Sequence, residues 1–159
     1  MTVWPSRTRS ERGAVGGLEA LLFGFLVLFG GAGLMINTWG VIETRTALDA
    51  ASREYLRAYT AQSDPNSAAQ AGSDAARRVL VERGTPLRDL VVDAPDPTLF
   101  GPCQPVEVTL TVDVDELRVP FIDRLGPSTV SVTGAELVDA HREMTPGARH
   151  DPEATPCDG

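Results

Sequence analysis

Residues 14–36 form an unbroken apolar stretch in which Glu19 is the one charge. Its 23 residues exceed the roughly 20 that a helix needs to cross the hydrocarbon of a bilayer. A carboxylate at the centre of such a helix costs about 2.5–3.5 kcal/mol on insertion scales. Glu19 stands near one end of the stretch, where the cost is smaller. Three structures accommodate this pattern. A cleaved secretory signal has a basic start, a short apolar core and a small-residue cleavage site, and Gly30, Gly31 and Ala32 offer such a site. Apolar character nevertheless continues through Leu34, Met35 and Ile36 and resumes at Trp39, Val41 and Ile42, which favours a retained anchor. A plain single-pass anchor explains Glu19 by snorkelling to the inner headgroups. In the third arrangement, a short basic leader is removed on the cytoplasmic side and Glu19 pairs with the amine of a neighbouring subunit.

Charge sets an expected orientation. Arg7, Arg9 and Arg12 precede the stretch with Glu11 as the opposing acid, whereas from Gly40 onward 11 Arg face 20 Asp and Glu. Arginines flanking one end of a span hold that end in the cytoplasm. The expectation is a single-pass cell-membrane protein, its N-terminus cytoplasmic and its C-terminal domain extracytoplasmic. Trp39 falls where interfacial aromatics collect, and membrane lipid is the first partner implied. A net charge of −8 argues against nucleic acid as a partner.

The residues Arg12-Gly13-Ala14-Val15-Gly16-Gly17-Leu18-Glu19-Ala20-Leu21-Leu22 resemble the start of TadE-like proteins, the minor pseudopilins of Tad or Flp-type pilus assembly systems. The resemblance extends to the order of a basic tail, one span, an Ala-rich helix and a small β-rich domain. It implies a structural assembly role in a pilus or related secretion machine. Other pilin-like subunits would be partners through the transmembrane helix, and a prepilin peptidase would process the leader. Glu19 is sixth after Gly13 and fifth after Ala14, so both residues are candidate cleavage points. The same resemblance implies that Glu19 supplies the intramembrane charge for subunit pairing. Independently, Gly16, Ala20 and Gly24 recur every fourth residue, the small-residue spacing that permits close helix approach in membranes and is also common in spans generally.

Four segments follow from the pattern: a basic tail or leader at 1–13, a transmembrane helix at 14–39, an exported domain at 40–143 and a disordered tail at 144–159. Val41, Leu48 and Tyr55, with Thr44, Ala51 and Ala58, make a helical stripe, with no strong breaker between it and the span. One long helix running out of the membrane is therefore expected, with Gly40 a candidate hinge. Ser63 to Ser67 break it, and a second helix is predicted at 68–83 with Gly84 ending it. Leu90 to Val92 read as a short strand. Val106, Val108, Leu110, Val112 and Val114 alternate with polar residues, and 129–137 is the expected antiparallel partner. Residues 117–125 suit an apolar loop that either folds over the sheet, the favoured reading, or touches the membrane. The fold class is thus α+β: a single N-terminal transmembrane helix extending into a small domain of two helices and a short antiparallel sheet.

Catalytic, cofactor-binding and metal-binding patterns are missing. His141 and His150 lack a carboxylate or Cys at zinc spacing, there is no phosphate loop or nucleophile elbow, and Asp113, Asp115 and Glu116 lack the calcium-loop pattern. A non-enzyme without cofactors is expected. Cys103 and Cys157, the chain's two cysteines, are candidates for a disulfide closing a long loop outside the cytoplasm. The alternative to the pilus component is a single-pass, envelope-anchored binding module unrelated to pili.

Overall fold

The computed structural model describes residues 12–114 and 128–154. Helix α1 (Arg12–Thr60) and helix α2 (Pro65–Glu82) precede three strands, β1 (Val91–Asp93), β2 (Pro105–Val114) and β3 (Ser128–Leu137). The chain divides into an N-terminal unit, Met1–Thr38, and a C-terminal unit, Trp39–Gly159. Within the N-terminal unit, α1 supplies a helix long and apolar enough to cross a membrane.

The C-terminal unit is an antiparallel sheet in the order β1-β2-β3, covered on one face by the α1 residues after Trp39 and by α2. Alternation in β2 decides the register. Val106, Val108, Leu110 and Val112 are buried, each contributing about 1.5–3 kcal/mol when fully withdrawn from water. A one-residue slip would turn all four outward. On the opposite face, Thr109 and Thr133 share a hydrogen bond of 2.9 Å, Thr111 donates to Ser131, and Thr129 donates to Asp113 at 2.8 Å. Such cross-strand pairs add about 0.2–1 kcal/mol each, so the buried face sets the register and the polar ladder reinforces it.

The helical stripe meets that buried face. Ala47, Leu48, Ala51, Tyr55, Leu56 and Tyr59 of α1 share one core cluster with Ala68, Ala76 and Leu80 of α2, the β2 valines and Phe100. Two glycines permit the approach. A Cβ on Gly134 of β3 would lie 3.0 Å from Leu56 Cδ1 and 3.1 Å from Ser52 Oγ, and one on Gly72 of α2 would lie 2.9 Å from Tyr55 Cζ. Tyr55 stacks on Tyr59, whose ring meets Phe100 edge-on at 5.5 Å between centroids.

Local chemistry bounds α2. Asp64, in extended conformation, caps it by accepting from Asn66 N and Ser67 N at 3.1 and 3.0 Å, and Pro65 stands in the first turn, where its missing N–H is not needed. The far end closes as a Schellman motif: Gly84 at φ 71° donates to Val81 O and Thr85 donates to Leu80 O. The helix therefore begins three residues earlier than the pattern predicts and ends one earlier.

As expected, α1 runs as one helix through Gly40. One expectation changes. Residues from Met144, expected as a disordered tail, are instead tied down as far as His150. Thr145 N donates to Ser63 O, Gly147 N to Phe100 O and Arg149 N to Thr98 O, at 2.7–2.8 Å. Arg149 also pairs with Asp96. Gly147 is required at this crossing because a Cβ there would collide with the carbonyls of Pro97 and Thr98. The apolar loop predicted at 117–125, together with Asp115 and Glu116, lies outside the described residues, as does the tail before Arg12.

Candidate functional site: an apolar helix surface and a polar recess

In the N-terminal unit, Leu18, Leu21, Leu22, Phe23, Phe25, Leu26, Val27, Leu28, Phe29, Leu34 and Met35 of α1 are all exposed. A run of this kind greatly exceeds the scattered apolar side chains normal on a soluble surface. On the insertion scale, its ten Leu, Phe and Val side chains together favour lipid by about 3–6 kcal/mol, which outweighs one off-centre carboxylate. Glu19 and Ala20 are exposed, and Glu19 makes no ion pair among the described residues. Gly24 has open space around it, as do Gly17, Gly30, Gly31 and Gly33. Gly13, Ala14 and Gly16 fall on the backbone of α1; nothing further is described of them.

Among the described residues, depressions open on the C-terminal unit. One, of about 320 Å³, includes Asp93, Asp96 and Glu107 among its lining residues. Asp96 is already committed there: it caps the 3-10 turn Pro97–Leu99, accepting from Thr98 N at 2.9 Å and Thr98 Oγ1 at 2.7 Å. These bonds to Thr98, aided by Arg149, hold its carboxyl below the usual range. A second groove runs between α1 and α2 past Ala58, Asp74, Arg77 and Val81. The third, also about 320 Å³, is lined by Trp39, Ile42, Glu43, Thr46, Ala47 and Arg83. The first four follow the i, i+3, i+4, i+7 spacing of one helix face, whereas Arg83 arrives from the end of α2.

Among the described residues, no three His, Cys, Asp or Glu side chains gather as metal ligands. His141 is exposed, its backbone N–H bonded to Asp139. His150 lies against Gly101, with its Nδ1 buried and, among the described residues, unpartnered. Cys103 is disulfide-bonded, and it takes a left-handed backbone conformation at φ 62°. Cys157 lies outside the described residues. The two tyrosine hydroxyls are buried, and among the described residues neither makes a hydrogen bond within 3.5 Å. Burial raises the pKa of Tyr55, against a smaller lowering from nearby Ser73. Tyr59 is pushed up to about 12 by burial, then by Tyr55 and Asp96.

Sequence reading singled out Trp39 but missed the recess. The shared face of Trp39, Ile42, Glu43 and Thr46 is legible as helical spacing; the proximity of Arg83 is not. Comparison of the chain with protein-family models, with characterised proteins and with solved structures finds no match.

Proposed function

We propose that this chain is a membrane-anchored, non-catalytic assembly component of the TadE-like kind, a minor pseudopilin of a Tad-type pilus or related secretion machine. The observation that carries the membrane part is the exposed apolar run of α1 from Leu18 to Met35. Such a surface requires lipid or other apolar helices around it. The arginines before it favour a cytoplasmic N-terminus and an extracytoplasmic C-terminal unit.

The pilin part rests on Arg12-Gly13 and Glu19. In lipid, an unpaired carboxylate is costly, and a neighbouring subunit's free amine would neutralise it. Gly16, Ala20 and Gly24 would let the helices approach. Mass spectrometry of membrane-extracted protein tests the leader: loss of residues 1–13 or 1–14 supports it, and an intact N-terminus leaves only the anchor. Glu19→Gln tests the pairing. Normal insertion with lost co-purification of pilin-like subunits is expected, while an unchanged complex would favour the envelope-anchored binding module.

A further inference from the structure

We propose that the recess lined by Trp39, Ile42, Glu43, Thr46, Ala47 and Arg83 seats the headgroup of a phospholipid bearing both a phosphate and a primary ammonium. The proposal rests on the membrane-anchor reading above and adds a lipid preference to it.

Charge complementarity selects the occupant. Glu43 and Arg83 line one recess, yet they form no ion pair with each other or with any other described residue. On α1 itself, Arg53 does pair with Asp49, at 2.9 Å. A guanidinium takes a phosphate through two parallel N–H donors, and a carboxylate accepts from an ammonium. The Thr46 hydroxyl donates to Ile42 O at 2.8 Å, so its oxygen keeps acceptor capacity. Arg83 is held in place from behind: it is the C-cap residue of α2, its N–H bonded to Val79 O and the turn completed by Gly84.

Position and size agree with that choice. Trp39 and Ile42 are 69% and 55% exposed and stand three and six residues beyond Ile36, where the apolar stretch ends. An exposed Trp next to an apolar span suits the headgroup level. A volume of about 320 Å³ is at the small end for ligand sites and of the order of one headgroup. An acidic peptide or a purely anionic headgroup would satisfy Arg83 and leave Glu43 opposed. A choline headgroup has no N–H to offer Glu43.

The test uses the full chain with Trp4→Phe, so that Trp39 is the remaining tryptophan, in vesicles of phosphatidylcholine alone or with one third phosphatidylethanolamine or phosphatidylglycerol. Flotation checks anchoring, quenching of Trp39 by a headgroup nitroxide checks its depth, and native mass spectrometry of detergent-extracted protein counts retained lipid. Expected are strong quenching and retention of phosphatidylethanolamine above phosphatidylglycerol. Glu43→Gln and Arg83→Gln should each lower that retention by about two- to fivefold, the range for exposed charge pairs. Equal retention of the two lipids, preference for phosphatidylglycerol, or indifference to both substitutions in a chain that floats would overturn this proposal alone. A chain that does not float overturns the membrane reading and this proposal with it.

Discussion

Gly72→Ala should destabilise the C-terminal unit, the reverse of what the same change does on an open helix. Mid-helix glycine normally costs about 0.5–1 kcal/mol relative to alanine. Here the added methyl would lie 2.9 Å from Tyr55 Cζ and 3.0 Å from both Cε atoms, well inside van der Waals contact. The ring has nowhere to go, because Tyr55 is fully buried and stacked on Tyr59, itself wedged by Phe100. Overpacking a rigid site costs about 1–3 kcal/mol. The balance is a net loss of about 1 kcal/mol, which lowers Tm by about 4 °C for a unit of this size. Thermal unfolding of the full chain in detergent, followed by near-ultraviolet circular dichroism, reads it directly. In a Tyr55→Leu background the clash disappears, and Gly72→Ala should then stabilise by about 0.5–1 kcal/mol. A higher Tm for Gly72→Ala alone, with no coupling to position 55, would refute the wedge.

Alkali should open the unit through its tyrosines. The folded pKa of Tyr59 is raised from 10.0 to about 12, so its contribution is fully present below pH 10 and is lost as pH rises toward 12. Tyr55 and Tyr59 are the chain's two tyrosines, so tyrosinate absorbance should rise together with loss of the near-ultraviolet signal; independent ionisation near the ordinary value would contradict their burial. Reduction of the Cys103 disulfide should cost about 2–4 kcal/mol, read as a fall in Tm with thiol, and peptide mapping of the oxidised chain should recover Cys103 joined to Cys157.

Local periodicity carries information only about which face of an element is apolar. That was enough for the apolar stretch at 14–36, the long α1, the stripe through Leu48 and Tyr55, and the alternation of β2, because each is written in residues three, four or two apart. The ends of α2 needed more than a propensity: Asp64 and Gly84 were visible, but the cap geometry placed the start at Pro65. The tail from Met144 was misread for a related reason. It has no apolar period, and what holds it is backbone hydrogen bonding to Ser63, Phe100 and Thr98, which any residue with an N–H can make.

From its sequence alone, this protein is a chain with one helix-length apolar stretch, a charge misplaced within it and an acidic α+β unit after it. Those properties follow from composition and spacing, so no partner in space is needed to read them. Tertiary structure alone decided that Gly72 must lack a Cβ beneath Tyr55, that Gly147 must cross two carbonyls, and that Arg83 would stand beside Glu43 and Trp39. Each of these depends on residues distant in sequence approaching within a few ångströms, and close approach is set by how the elements pack, not by the order in which their residues are joined.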